Sequence, residues 1–176
     1  MNKLFRLFLI SLIITGCNLP QPADPREEQR LINDVRRQVF TKLKKEKELV
    51  PFGTGGQTAD GIKMLCLAFL YYKPVDIDTG RKLLIDGLNE LVSAVNAEKD
   101  IHRYLYNYPF EVKNAEISIS IHKSDGTDFG EGKLCIISAQ NGILEYLTWN
   151  PDKNSLITVF SETYEEALQR INSSEI

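Results

Sequence analysis

The sequence predicts an α+β domain in which an antiparallel sheet of about five strands carries helices packed on one face. Two observations support this prediction. Before Pro109, apolar residues recur mainly at the spacing of helices, whereas after it short alternating runs are separated by turn residues. We place the single domain at residues 26–172, followed by a tail of residues 173–176. A chain of about 150 residues is long enough to bury one core of useful size.

The first helix is predicted to begin at Asp24-Pro25-Arg26-Glu27 and to end near Lys45. Asp24 suits the N-cap, proline suits the first helical position, and glutamate suits the third. The lysines near its end suit the helix dipole, and contact with anionic lipid is the alternative. The buried stripe of this helix consists of Ile32, Val35, Val39 and Leu43.

A glycine-rich stretch at residues 52–61 is predicted to be a flexible loop. Gly56 and Gly61 have the spacing of a P-loop, but Ile62 and Lys63 follow where that motif needs lysine and then serine or threonine. We therefore exclude a nucleotide site. The apolar residues 62–72 form a buried strand or a short buried helix, and the missing helix start favours a strand.

The second helix is predicted to be strongly amphipathic and to be capped by Asp76 or Asp78. Gly87 lies in its interior, where glycine costs about 1 kcal/mol relative to alanine. A close approach to a strand would explain this glycine. A shorter helix is expected at residues 97–105, before Pro109. The apolar face of the second helix consists of Leu84, Leu88, Leu91 and Val95.

The remainder is predicted to be a four-strand meander followed by a helix. Residues 116–122 alternate polar and apolar side chains, as a strand with one wet face does. Residues 134–139 and 143–149 flank Asn141-Gly142, a strong hairpin signal, and a strand at 156–160 follows. Thr163 and Glu166 form a capping box that predicts the final helix.

The first sixteen residues differ in character from the rest of the chain. Lys3 and Arg6 precede an apolar run at residues 7–14, which is shorter than the roughly 20 residues that cross a bilayer. This pattern is typical of a cleaved export signal, which we place at residues 1–16.

Ile14-Thr15-Gly16-Cys17 resembles the lipobox of bacterial lipoproteins. The resemblance implies cleavage between Gly16 and Cys17, a diacylglycerol on the Cys17 thiol, and often a further acyl chain on the new amino terminus. An ordinary secretory signal with a chance cysteine, or an uncleaved anchor, is the alternative. Asn18 follows where an aspartate would resemble the inner-membrane retention signal, which implies the outer membrane in a cell with two membranes.

Residues 17–25 are predicted to be a stiff tether that follows the lipidated cysteine. Pro20, Pro22 and Pro25 favour an extended chain of about 3.1 Å per residue, or roughly 25 Å in all. The domain is therefore expected to lie close to the membrane surface.

One predicted strand face offers an acid, two hydroxyls and an imidazole. Residues two apart on a strand are about 6.6 Å apart, too far for a direct Ser–His hydrogen bond, so simple alternation explains the row. The two histidines of the chain lack zinc-site spacing, and the acids of the 125–131 loop lack the EF-hand order. We assign no catalytic residue and expect no metal or other cofactor. The acid, hydroxyls and imidazole of the predicted strand face are those of Glu116, Ser118, Ser120 and His122.

Two further groups have more than one interpretation. Cys66 and Cys135 either form a disulfide in an oxidising envelope or remain two buried free thiols. An aromatic stretch forms an interaction patch, or it closes the core at a helix-to-strand junction. That stretch consists of Tyr104, Tyr106, Tyr108 and Phe110.

The chain has a formal net charge of -3 and becomes more acidic without Lys3 and Arg6. Because it lacks a basic stripe, we exclude nucleic acid as a partner. The sequence predicts a lipid-anchored envelope lipoprotein, held at the membrane by Cys17, that binds another envelope protein or supports envelope assembly without catalysis. The alternative is a small-ligand-binding or hydrolytic lipoprotein with a pocket between the helices and the sheet.

Overall fold

The computed structural model describes residues 24–173, which form a six-stranded sheet with three α-helices on it. The α+β class is confirmed, and the sheet has slightly more strands than predicted. Two short 3-10 helices, Lys99–Tyr104 and Val112–Asn114, lie between the second helix and the third strand. The elements are α1 (Pro25–Lys47), β1 (Val50–Gln57), β2 (Met64–Tyr71), α2 (Ile77–Ala97), β3 (Ala115–Ile121), β4 (Leu134–Gln140), β5 (Ile143–Asn150), β6 (Ser155–Thr163) and α3 (Tyr164–Ser173).

Strand β1 corrects the loop predicted at residues 52–61. It pairs antiparallel with β2 despite three glycines, and it carries a bulge between Pro51 and Gly53. An added Cβ at Gly55 would lie 3.4 Å from the Cβ of Cys66 on the neighbouring strand. Arg36 of α1 donates a hydrogen bond to the Gly55 carbonyl at 2.6 Å. The strand therefore forms because its neighbours hold it, although its own residues have low strand propensity.

The predicted helix starts are confirmed at atomic detail. Asp24 accepts a hydrogen bond from the Arg26 amide at 2.9 Å, and Asp76 accepts one from the Thr79 amide at 2.7 Å. Asp76 is therefore the N-cap of α2, and Asp78 lies in the first turn. Both caps satisfy amide groups that would otherwise lack a partner at a helix start.

The turn between β4 and β5 and the start of α3 also follow the predicted chemistry. Asn141 and Gly142 join β4 to β5 with φ angles of 50° and 76°, the left-handed values that a primed hairpin turn requires. Thr163 and Glu166 exchange hydrogen bonds at the start of α3 and form the capping box.

Gly87 marks the closest approach of α2 to the sheet. An added Cβ at Gly87 would lie 3.2 Å from Cγ2 and 3.3 Å from Cγ1 of Ile117 on β3. The close approach to a strand that the sequence suggested is therefore present.

The strands lie in the order of the sequence, and four of the five pairs are antiparallel. The exception is β2 and β3, which are parallel. Residues 72–114 include α2 and return the chain to the end of the sheet where β2 begins, as a parallel pair requires.

All three helices pack on the same face of the sheet. On β2 and β3 every second residue is buried beneath them. Phe40 of α1 contacts Phe69 of β2 edge to face, with ring centroids 5.3 Å apart. The sheet-side core includes Leu65, Leu67, Phe69, Ile117, Ile119, Ile137, Leu144 and Tyr146.

A buried polar cluster joins α2 and α3 to the last two strands. Arg81 and Glu162 are only 6% and 4% exposed, and Arg81 Nε donates to Glu162 Oε1 at 2.7 Å. The Tyr146 hydroxyl donates to the same oxygen at 2.7 Å, and Arg170 Nε lies 3.1 Å from Oε2. Burial and the bond to Glu162 raise the pKa of Tyr146. The cluster fixes the position of both helices over this part of the sheet.

Candidate functional site

The second face of the sheet is not covered by any helix of residues 24–173. On β2 and β3 the residues that alternate with the core are half-buried and lie on this second face. We call this surface the open face; it comprises the outward residues of the six strands. The predicted polar row of β3 lies on it, so the alternation was interpreted correctly. The row consists of Glu116, Ser118, Ser120 and, just beyond the strand, His122.

The middle of the open face carries short side chains on five of its six strands. Strand register places one residue from each strand side by side across the sheet, and Glu145 of β5 is the long side chain among them. From β1 to β6 the row is Gly53, Ala68, Ser118, Ser138, Glu145 and Ser161.

One end of the open face is apolar. It lies where β2 and β3 end, and Trp149 and Leu156 there are each 42% exposed. Exposed apolar clusters on a domain mark sites of interaction. This cluster is not evident in the sequence because its strands meet only through register. The alternation at residues 143–149 is the one local signal that points to it. The cluster consists of Ile136, Leu147, Trp149 and Leu156, and Leu70 lies on the other side of Ser120 in the same row of the sheet.

A cavity of about 290 Å³ adjoins the apolar end, between the loop of residues 128–133 and β5. Phe129, Cys135 and Trp149 contribute to its wall. Asp128 on its rim pairs with His122, with Oδ1 and Nδ1 3.2 Å apart. Ligand pockets have volumes of about 300–1,000 Å³, so this cavity suits a single inserted side chain.

The open face carries negative charge. None of the six strands contains a lysine or an arginine, whereas Glu116 and Glu145 both lie on this face. Oε1 of Glu116 is buried and has no hydrogen-bond partner within residues 24–173. Glu145 accepts a long hydrogen bond of 3.4 Å from the Thr158 hydroxyl. Glu145 is exposed and therefore available to a cationic group from outside, whereas the Glu116 carboxylate is half-buried beside the Cys66 thiol.

The thiol beside Glu116 is poorly suited to nucleophilic chemistry. Cys66 lies opposite Glu116 in the register of β2 and β3. Burial raises the pKa of the Cys66 thiol, and the neighbouring Glu116 raises it further. Because the thiolate is the reactive form, this thiol stays protonated and unreactive at neutral pH.

The disulfide alternative for Cys66 and Cys135 is wrong, because both thiols are free. Cys66 lies on β2 and Cys135 on β4, with β3 between them. Two interstrand spacings separate their Cα atoms by at least about 9 Å. A disulfide requires Cα atoms within about 7 Å of each other. Strand order therefore prevents the bond.

The aromatic stretch is divided between the core and the surface. Tyr104 and Phe110 are buried, as expected of residues that close the core. Tyr106 and Tyr108 are 58% and 61% exposed. The core-closing alternative is therefore correct for Tyr104 and Phe110, and an interaction patch stays a prediction for Tyr106 and Tyr108.

The predicted signal peptide, the cleavage site between Gly16 and Cys17, and most of the predicted tether lie outside residues 24–173. Among the described residues, no helix is both long enough and apolar enough to cross a membrane. Nor do residues 24–173 bring together three or more His, Cys, Asp or Glu side chains that are able to hold a metal ion.

No family model, no curated protein and no solved structure matches the chain.

Proposed function

We propose that the protein is a lipid-anchored envelope lipoprotein that binds another envelope protein through the open face of its sheet. The open face carries this proposal, because within residues 24–173 the six strands have one side without a covering helix, and this side ends in an exposed apolar cluster. The anchor rests on Ile14-Thr15-Gly16-Cys17, which resembles a lipobox. Two or more acyl chains on Cys17 would hold the domain stably at a membrane.

The partner that fits this surface is an apolar protein surface that carries lysine or arginine. Glu145 is exposed and accepts a long hydrogen bond from the Thr158 hydroxyl, and Glu116 is half-buried beside Cys66 on the same face. A hydrogen bond to a charged group contributes about 1.5–3 kcal/mol. A cation opposite these carboxylates would therefore add both affinity and orientation.

The apolar end is the expected centre of the interface. Tryptophan is enriched among the residues that dominate binding energy, and Trp149 lies beside a cavity that accepts one side chain. Leu147 and Leu156 extend the apolar surface on both sides of it.

The alternative function requires a pocket between the helices and the sheet. Beneath α2 this space is filled by side chains that are at most 1% exposed, among them Leu84, Leu88 and Ile117. An open cleft of about 310 Å³ lies between α1 and β1 at the edge of the sheet, and Phe40 contributes to its wall. The thiol on the open face is held in its unreactive form. These observations favour binding over hydrolysis.

Site-specific photo-crosslinking in living cells tests the interface. A photoreactive residue at Ser138 or Ser161 lies on the open face, and one at Gln38 or Ser93 lies on an exposed helix surface as the matched control. We expect an adduct with one protein from the open-face positions alone. Trp149→Glu should abolish the adduct without lowering the unfolding midpoint, because Trp149 contributes little to the core.

Charge variants test the chemistry of the partner. The partner identified from the adduct is purified, and its affinity for the chain is measured at low and high salt. Glu145→Lys should weaken binding at least about tenfold and Glu145→Gln by less, since removing one buried charge partner costs about 2 kcal/mol or more. Equal adducts from Gln38 or Ser93, or an adduct of two copies of this chain, would show that the proposed partner surface is wrong.

Labelling with a radioactive fatty acid tests the anchor separately. We expect label and membrane association in the natural chain and neither in Cys17→Ser. Retention of both by Cys17→Ser would contradict lipidation at this position.

A further inference from the structure

We propose that the exposed tyrosines Tyr106 and Tyr108 contact the lipid surface and fix the orientation of the domain on the membrane. This inference rests on the lipid anchor of the proposed function. The two tyrosines lie at the end of the sheet where β2 and β3 begin, which we call the tether end. The opposite end, with the apolar cluster of the open face, is the distal end.

The start of α1 lies against the segment that carries the tyrosines. Oε2 of Glu27, in the first turn of α1, accepts a hydrogen bond from the Tyr104 hydroxyl at 3.0 Å and pairs with Arg103. Pro25, the first residue of α1, is therefore held close to residues 103–108. A lipid on Cys17 would thus pull on the tether end of the domain.

The tether is too short to let the domain turn over freely. The polyproline II conformation predicted from the prolines of residues 17–25 would span roughly 25 Å at about 3.1 Å per residue. An eight-residue strand such as β2 has a similar length, about 26 Å at 3.3 Å per residue. The tether end therefore lies nearest to the lipid, and the distal end is a strand length farther away.

The backbone holds the tyrosine segment in place. The Ile62 amide donates to the Tyr104 carbonyl at 2.7 Å, and the Tyr106 amide donates to the Ile62 carbonyl at 3.1 Å. The Tyr108 ring packs on His102 with centroids 4.4 Å apart. Both tyrosines are thus fixed outward from an ordered segment, although each is more than half exposed.

Tyrosine suits the boundary between lipid and water. Its ring is apolar and its hydroxyl is polar, and tyrosine is accordingly enriched at membrane–water interfaces. Lys63 lies over the Tyr106 ring, with Nζ 4.8 Å from the centroid. Lysine beside an interfacial ring can reach the lipid phosphates with its ammonium group.

The net charge of the tether end does not account for its contact with lipid. Lys63 pairs with Asp60 at 3.3 Å and Lys113 with Glu111 at 2.5 Å, which neutralises carboxylates at the tether end. Glu98 and Asp100 also lie at this end, where they start a 3-10 helix. We therefore expect the rings to provide the contact, with little dependence on anionic lipid or salt.

Single-tryptophan fluorescence tests the orientation on the full-length lipidated chain. Trp149 is the one tryptophan of the sequence and lies at the distal end, so the natural chain reports on that end directly. In a Trp149→Phe background, Tyr106→Trp and Tyr108→Trp report on the tether end. Tyr72→Trp is the matched control, because Tyr72 is also exposed but follows β2 at the distal end. All four are reconstituted in phosphatidylethanolamine–phosphatidylglycerol vesicles with and without brominated acyl chains.

We expect the tether-end tryptophans to lose most of their fluorescence to brominated lipid, and those at positions 72 and 149 to lose little. The same result is expected on vesicles of phosphatidylcholine alone. Equal quenching at both ends, or none at positions 106 and 108 in chains that float with the vesicles, would overturn the orientation and leave the anchor intact. In the second case the exposed tyrosines face water or a protein partner. Chains that fail to float would overturn the anchor and the orientation together.

Discussion

Replacing Gly87 by alanine has two opposing effects on the free energy of unfolding: a gain in helix propensity and a loss from overpacking against the sheet. Alanine is favoured over glycine in a helix interior by about 1 kcal/mol. The new Cβ would lie 3.2 and 3.3 Å from two carbons of Ile117, whereas carbon atoms pack best at about 3.5–4.0 Å. Either Ile117 or α2 must therefore move by a few tenths of an ångström.

Neither partner is free to move. Ile117 is β-branched, 1% exposed, and lies between Leu67 of β2 and Ala139 of β4. Helix α2 is fixed by the buried pair of Arg81 with Glu162. Overpacking a core typically costs 1–3 kcal/mol. We therefore expect Gly87→Ala to lower the free energy of unfolding by about 1 kcal/mol after the gain in propensity.

Urea unfolding of the full-length chain measures this change. Ser93→Ala, at an exposed position of the same helix, reports helix propensity alone and should stabilise by up to about 0.5 kcal/mol. Ile117→Val keeps both contacting carbons, so its cost should be the same with and without Gly87→Ala. Ile117→Ala removes them, so its cost should be smaller in the Gly87→Ala background. A stabilised Gly87→Ala variant, or additive costs with Ile117→Ala, would refute the packing explanation.

Two other predictions concern charged groups. Arg81→Met and Glu162→Leu should each destabilise the chain by up to about 3 kcal/mol because each removes the buried partner of the other charge. Arg170 still contacts Glu162, and Asp78 still contacts Arg81, which limits each loss. The double variant should lose clearly less than the sum in urea unfolding, and additive losses would contradict a coupled pair. Asp76→Ala should cost about 1 kcal/mol at pH 7 through loss of the α2 cap. The hydrogen bonds from Thr79 lower the pKa of Asp76, so the folded state favours the carboxylate, and this stabilisation is lost as pH falls below about 4. The difference between the natural chain and Asp76→Ala should therefore shrink from pH 6 to pH 2, and a constant difference would show that the cap has no ionic component.

Local signals were enough to locate most elements. The cap at Asp76, the turn at Asn141-Gly142 and the capping box at Thr163 depend on residues close in sequence, and each is present in the structure. Gly87 indicated a long-range contact because glycine is costly within a helix unless something approaches closely. Each of these signals has a single physical cause that acts on one residue or on a few neighbouring residues. Such signals can therefore be identified in one sequence.

The features that escaped prediction depend on neighbours distant in sequence. Strand β1 consists largely of residues with low strand propensity and forms because β2 and Arg36 supply its partners. The apolar end of the open face assembles residues from several strands, so its composition follows from register alone. The exposure of Tyr106 and the burial of Tyr104 likewise depend on how one short segment lies against α1.

The sequential order of the strands also has a kinetic consequence. Four of the five strand pairs close through connections that contain no α-helix, and such hairpins form early because short loops lose little entropy on closing. The parallel pair of β2 and β3 must instead wait for residues 72–114 to order with α2. Docking of the β1–β2 hairpin onto the β3–β6 meander is therefore the expected rate-limiting step of folding. Until that step is complete, the edges of β2 and β3 are free to pair with other chains, which makes this junction the point at which the newly synthesised chain is most exposed to aggregation.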